Sequence, residues 1–391
     1  KSHKLESDRE AQKAESTPYR NKQTIQLTSV QCVCPSSSVL KHSNDSKFKM
    51  HLLAPKLLYC AQHDAVSRLK VLLEEERQKS RDPSSQWLCG VCYDKSGDTL
   101  AHVACRHGSV NILRFLVEEI GSTSFLEAPN LDGKRPLHEA AQNSQLESVR
   151  FLVEKGCQVD PLKRADWTPL MLACTKHDLQ VVKLLIEKGA NLKLRNKDGW
   201  TPFHIACREG HASIVGYFLD TCADAFDCSS NNKRTPLHTA ALQGRLECVN
   251  ILLERGNYPP DVRDNCRSTP FMDAAQADQT DIMERLATYK ADVGAVDVLG
   301  RNSLHLAAQA GAVDAVRLLV DRYGLDPNST DMWGQTALHY AAKRGHSLVI
   351  GLLLTFGALH GLKDNKERTA CDLARDANHQ DCCTLLDAHM S

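Results

Sequence analysis

The 391-residue chain carries no net charge, because 48 lysines and arginines balance 48 aspartates and glutamates. A partner recognised by bulk electrostatics, such as nucleic acid at large, is therefore not favoured; a local basic patch leaves RNA open. No apolar run approaches the roughly 18 residues of a membrane helix, and no charged-then-apolar start resembles a signal peptide. Glycine-rich phosphate loops, nucleophile elbows and paired carboxylates are also missing, so no catalytic residue, cofactor or enzymatic activity is expected. Cysteine, by contrast, is plentiful. Sixteen of them without a secretion signal point to a reducing compartment, the cytoplasm with the nucleus also open, and not to a disulfide framework.

What the chain does have is a period. The segment Thr235-Pro236-Leu237-His238-Thr239-Ala240-Ala241 recurs in variants starting at Thr99, Arg135, Thr168, Thr201, Thr235, Thr269, Asn302, Thr336 and Thr369. The spacings are 36, 33, 33, 34, 34, 33, 34 and 33 residues. A period near 33 with this core resembles the ankyrin-repeat family, whose unit is a β-turn followed by two antiparallel helices. The resemblance implies an all-α solenoid with β-hairpin fingers. Stacked units share one continuous core, so residues 50–391 are expected to form a single domain of an N-terminal helical cap and nine repeats.

Each part of the repeat has a physical role. Threonine caps the first helix by accepting a backbone N–H, and proline suits the first helical position, where its missing donor is not needed. The leucine and the Ala-Ala pair face inward. Glycines such as Gly108, Gly210, Gly244, Gly311 and Gly345 end that helix in the left-handed region. Ser144, His177 and Asp278 stand where glycine is expected, so each adopts or avoids that region at a cost of about 1 kcal/mol. In the last repeat Asp372, Arg375 and Asp376 give the polar face of a terminal cap, with Cys382, Leu385 and Leu386 closing the core.

Two residue types invite a metal reading. His102, His138, His204, His238, His305 and His339 recur at one position of the motif, where a histidine fixes the turn by hydrogen-bonding nearby backbone. Cys105, Cys174 and Cys207 replace the second alanine and read as small core residues. Cys89-Gly90-Val91-Cys92 is followed by His102, Cys105 and His107, but no second paired motif completes a zinc site, and no metal is expected.

Residues 1–49 hold nine basic and five acidic residues and show neither helical nor strand period, so they are expected to be disordered. Met50 is expected to be the native start. Leu57, Leu58, Cys60, Ala61, Val66, Leu69, Leu72 and Leu73 then form two short amphipathic runs, the expected cap.

Functional residues are sought just ahead of each turn. Lys163, Arg164, Arg195, Lys197, Lys233, Arg234, Arg263 and Arg267 gather there in four successive repeats, opposed by Asp166, Asp198 and Asp264, which also suit turn-fixing roles. The net is five positive charges along one edge. Trp167 and Trp200 adjoin the stripe, where a tryptophan either packs on the neighbouring hairpin or contacts a partner.

Hairpin strings narrow the resemblance. Ala165-Asp166-Trp167-Thr168-Pro169-Leu170-Met171, Asn196-Lys197-Asp198-Gly199-Trp200 and Arg263-Asp264-Asn265-Cys266 are similar to those of vertebrate ankyrin-repeat proteins that bind alanyl-tRNA synthetase. That resemblance implies a monomeric co-regulator that limits serine misincorporation at alanine codons by accepting misactivated serine on its own lysines. A neutral amine can attack an aminoacyl adenylate. By the same resemblance the acceptor here is Lys197, whereas two further acceptor positions hold Arg164, with Lys163 one place earlier, and Asp227. Neither arginine nor aspartate forms that amide, so multi-site capture is not expected. The expected partner-binding residues are Lys163, Arg164, Trp167, Lys197, Trp200, Lys233 and Arg234. Two other readings stay open: a generic scaffold for another signalling or quality-control protein, and RNA binding through the same stripe.

Overall fold

A computed structural model describes residues 44–79, 95–121, 123–221 and 228–389. Residues 1–43, Cys89-Gly90-Val91-Cys92 and Asp227 lie outside these, so the expectations placed on them are not addressed. Residues 52–391 group into one compact unit. The first helix, Asn44–Gln62, starts inside the segment for which the sequence predicts no helix. Its Asn44-Asp45-Ser46 start carries the residue types that open helices. A second helix, Val66–Lys79, follows the left-handed turn at Asp64. Leu57, Cys60, Ala61, Leu69, Leu72 and Leu73 are buried between them, with Leu58 and Val66 packed alongside. Asp64 Oδ1 accepts the Ile112 N–H at 2.9 Å and ties this pair to the first full repeat.

Among the described residues, nine helix pairs follow. The first helices are Leu100–His107, Pro136–Gln142, Pro169–Ala173, Pro202–Glu209, Pro236–Leu242, Pro270–Gln276, Ser303–Ala310, Ala337–Arg344 and Ala370–Asp376. Each packs on the next of its kind, and the second helices, from Val110–Glu118 to Gln380–Ala388, form a parallel outer row. No strand is present among the described residues; an isolated antiparallel bridge joins Lys163 and Trp167. Cys105, Cys174 and Cys207 are fully enclosed at the second alanine position. Burial pushes all three thiols well up, which keeps them protonated and suits packing rather than ligation.

The six motif histidines are buried and shared between repeats. On one side Nδ1 accepts the backbone N–H of the residue that opens the turn, at 3.1 Å from Thr99, 3.0 Å from Arg135 and 3.3 Å from Thr201. With Nδ1 accepting, the proton sits on Nε2. Nε2–H then donates to the carbonyl just ahead of the next turn: Lys134, Trp167, Arg234, Ser268, Gln335 and Arg368, at 2.9 to 3.2 Å. Each imidazole therefore starts its own helix and latches the following repeat.

Threonine caps the first helices as expected, and the histidine joins it in the cap. In the histidine-bearing turns the hydroxyls of Thr99, Thr201, Thr235 and Thr336 lie 2.8 to 3.0 Å from Nδ1 and donate to it. Each of these turns is a capping box, with the threonine side chain facing the N3 backbone N–H while the histidine takes the threonine N–H. Where the histidine is absent, Thr168 accepts from Met171, Thr269 from Met272 and Thr369 from Asp372. Met171 and Met272 also leave two junctions without a latch. At the second, Met272, Ala295 and Leu306 form a small buried cluster in its place.

The repeat opening at Thr168 departs most. Ser144 and Asp278 take the left-handed conformation that glycine has elsewhere, at φ 57° and 58°. His177 is not among the left-handed residues, and its helix stops at Ala173 after five residues. This unit combines a five-residue first helix with a joint that lacks the motif-histidine latch, leaving His177 and His211, 3.1 Å apart, to meet across it nearer the surface. Amide exchange should therefore be faster at Leu172 and Ala173 than at Ala140, Ala141, Ala206 or Cys207. Equal protection across these sites would refute that ordering.

Burial lowers the imidazole pKa of all six histidines, to about 4 for His138, His204 and His238. A folded pKa below the unfolded value of about 6.5 means that stability is complete above that pH and falls as acid is added. Each unit of depression is worth about 1.4 kcal/mol. Asp273, pushed up to about 7 by burial against the opposing pull of Arg234, works in the other direction over the same window. A comparison of variants separates the two. His204→Ala should lose about 1–3 kcal/mol at pH 7.5, because the Arg234 carbonyl is left unpaired. Its urea midpoint should also fall less than that of the wild type between pH 6.5 and 4.5.

Candidate functional site

The hairpins ahead of each turn are built on one side chain. Five residues before the motif, Asn130, Asn196, Asp264, Asp297, Asp331 and Asp364 each accept backbone N–H groups two and four residues on, at 2.8 to 3.0 Å. This closes the tip and holds its backbone rigidly. Successive tips are then linked along the stack. The N–H of Arg164 donates to the Asp132 carbonyl, Lys197 to Ala165, Asn231 to Asp198, Asn265 to Asn232, Val298 to Cys266, Met332 to Leu299 and Asn365 to Trp333, at 2.8 to 3.1 Å. The tips thus form one continuous ridge.

The position two residues before the motif takes positive φ in every described hairpin. Gly199 does so at φ 79°, with the backbone nitrogen of Asn231 only 2.5 Å from where a Cβ would sit. Asp166, Lys233 and Arg267 adopt it without being glycine, at φ 60°, 58° and 59°. Lys233 and Arg267 are exposed there.

The basic residues picked from the sequence divide into two groups. Arg164, Lys197, Lys233 and Arg267 are exposed on the ridge, Arg164 with Asp132 at 3.7 Å. Arg195 donates to the Ser229 carbonyl at 2.6 Å and Arg263 to that of Val296 at 3.4 Å, each holding the following hairpin. Arg234 is drawn inward instead. It bridges Asp264 at 3.1 Å and buried Asp273 at 2.6 Å and is 23% exposed. Its sequence neighbourhood reads as a stripe, but two carboxylates of the next repeat capture it. Of the three aspartates expected to fix turns, Asp264 does. Asn196 does so in place of Asp198, and in the hairpin of Asp166 the bridge from Lys163 to Trp167 takes that role.

Trp167 and Trp200 are half-buried and pack against the core. The ring of Trp200 stacks on His204 and lies 5.2 Å from the Arg208 guanidinium carbon; Lys163 Nζ lies 5.6 Å from the centre of Trp167. Hairpin packing thus accounts for the buried part of both rings, and their outer edges stay on the ridge. Lys163 is half-buried, and burial followed by the nearby charge of Lys134 lowers its amine pKa. Lys197 is exposed.

Sequence reasoning overlooked the other half of the ridge. Val298 and Met332 are 48% and 58% exposed, and Leu299 and Trp333 sit beside them on the same two tips, partly exposed. Aligning the hairpins with one another, rather than the helices, would have shown this apolar pair of tips between the polar Asn265-Cys266 and Asn365-Lys366. Among the described residues no three histidine, cysteine or acidic side chains could hold a metal ion, and no helix is long and apolar enough to cross a membrane.

The family described as ankyrin repeats (3 copies) matches residues 57–163, 124–196, 155–225, 170–264, 256–331 and 304–390. The human B-cell lymphoma 3 protein is 39% identical over 71 residues, which is 18% of this chain and 16% of that protein. Mouse protein phosphatase 1 regulatory subunit 12A is 32% identical over 105 residues, 26% of this chain and 10% of the relative. Chicken NF-kappa-B inhibitor alpha is 31% identical over 106 residues, 26% of this chain and 33% of the inhibitor. The matched stretches cover a third or less of each relative. With overlapping matches running from residue 57 to 390, the chain belongs to the ankyrin-repeat family and is a protein–protein interaction module.

Proposed function

We propose that the module docks through the basic half of its ridge onto alanyl-tRNA synthetase in the cytoplasm, and that it limits serine misincorporation at alanine codons. The reading rests on the Lys163–Trp167 and Arg195–Trp200 hairpins. These two adjacent tips hold the strings resembling ankyrin repeat domain-containing protein sixteen, and they combine exposed cations with the outer edges of two tryptophans. Capture of serine requires a lysine ε-amine to attack the carbonyl of seryl adenylate. An amide forms, AMP leaves, and the amine proton passes to solvent. Lys197 matches the acceptor position by resemblance. At Lys163, burial and the nearby charge of Lys134 lower the amine pKa, which favours the neutral form that attacks.

The reading is tested with purified synthetase, ATP and serine, followed by mass spectrometry of the chain. Seryl-lysine is expected at Lys197 and Lys163. Lys197→Arg should remove the first, and the Lys163→Arg, Lys197→Arg double variant should remove both while still binding the synthetase. Adducts spread evenly over other surface lysines would refute the assignment. Lys233→Glu should weaken binding without changing the melting midpoint. Arg234→Ala should instead destabilise the fold by about 3 kcal/mol, because it removes the guanidinium from Asp264 and from buried Asp273, which must then take up a proton. A lysate pull-down without enrichment of the synthetase would favour a scaffold for another protein; relatives bearing the names regulatory subunit and inhibitor are compatible with that outcome.

A further inference from the structure

We propose that the tips carrying Val298, Leu299, Met332 and Trp333 are a second docking surface, and that its occupant is a protein segment with apolar anchors flanked by carboxylates. The surface lies on hairpins other than those of Lys163 to Trp200, so the inference goes beyond the synthetase reading and stands whichever protein the basic tips engage.

Three observations carry it. The four side chains occupy equivalent positions on adjacent tips, joined where the Met332 N–H donates to the Leu299 carbonyl at 3.0 Å. Trp167 and Trp200 pack on the core, whereas Leu299 and Trp333 are not among the partly buried residues that do. Exposed apolar side chains grouped in this way mark interaction surfaces, and tryptophan is enriched among interface anchors.

The patch is also held ready. Asp297 accepts the Leu299 N–H at 2.8 Å and Asp331 accepts the Trp333 N–H at 2.9 Å. Asp331 is held in turn by the Tyr340 hydroxyl at 2.6 Å. A platform with a fixed backbone loses little entropy on binding.

Charge identifies the occupant. The tips on either side present Arg267 and Lys366, both exposed. The one neighbouring carboxylate at tip level, Glu367, is engaged by Lys363 at 3.1 Å, while Asp264, Asp297, Asp331 and Asp364 are buried and spent on their turns. The patch is therefore apolar at its centre and basic at both ends, which complements a segment of opposite pattern. A second copy of this chain fits poorly: a two-fold contact between patches would set Arg267 and Lys366 of one copy against the same cations of the other.

The test is selection of a displayed random-peptide library on the full chain, with counter-selection on a Met332→Ser, Trp333→Ser variant. Recovered peptides should pair Leu, Phe or Trp with flanking Asp or Glu. Their Kd by fluorescence anisotropy should rise about tenfold or more on that variant, as expected for loss of an anchor. The Arg267→Glu, Lys366→Glu variant should select Lys- or Arg-flanked peptides instead. All these side chains are surface residues, so melting midpoints should stay at the wild-type value. Lys233→Glu should leave peptide binding unchanged, which separates this surface from the basic tips. Recovery of no peptide that depends on Met332 and Trp333 would overturn the proposal. So would peptides without acidic flanks, or a wild-type dimer in sedimentation that the serine variant loses.

Discussion

A single imidazole proton, placed on Nε2 and aimed at the carbonyl ahead of the next turn, is the bond on which the rest of the stack depends. Nδ1 of the same ring takes the N–H that opens its own helix. The ring has to be neutral for both contacts to form, and burial keeps it so. Because the latched carbonyl belongs to the base of the following hairpin, the bond fixes the spacing of hairpins as well as of helices. A ridge of evenly joined tips follows from a requirement of the core.

That coupling explains how the molecule separates stability from recognition. The Asn or Asp at the base of a hairpin satisfies the turn backbone from inside, so the two residues at the tip vary widely, and only some of them, such as Asn231 donating to the Lys197 carbonyl, tie neighbouring tips together. They run from Lys197 and Asp198 through Asn231 and Asn232 to Met332 and Trp333. The ridge thereby carries a basic stretch and an apolar stretch on one rigid support. Lys233 and Arg267 hold their charge at the left-handed position where glycine serves elsewhere, at a cost of about 1 kcal/mol each. Side chains kept at a conformational cost are more easily understood as recognition elements than as fillers.

Most of the fold was legible in the sequence because period, proline and the Leu and Ala-Ala positions answer to local rules. The burial of Cys105, Cys174 and Cys207 followed from the same reasoning, since each stands in for an alanine. The candidate site was less legible. Arg234 looks like any other hairpin cation until the buried carboxylates of Asp264 and Asp273, contributed by the next repeat, are placed beside it. Asp198 and Asn196 are close neighbours in sequence, and only the hydrogen bonds show which one closes the turn. The apolar tips escaped notice because Leu299 and Trp333 lie 34 residues apart, each ordinary alone. Their meaning comes from the carbonyl and N–H that bring the two hairpins together.

Methionine replaces the latching histidine at Met171 and Met272, and the two substitutions give the joints of this stack unequal chemistry. Six junctions contain a buried motif ring that acid can protonate; the junction after Met272 lacks one, and the junction after Met171 has instead the His177–His211 pair, with Nδ1 atoms 3.1 Å apart near the surface. Acid therefore attacks within the runs of repeats opening at 99 to 168, 201 to 269 and 302 to 369, and also at the His177–His211 contact, where two charged rings would face each other, but it passes over the joint after Met272. Heat has no such preference and reaches first the joint after the five-residue helix Pro169–Ala173, where the core contact is shortest. The same solenoid would come apart at different seams, and leave different folded remnants, depending on which stress it meets.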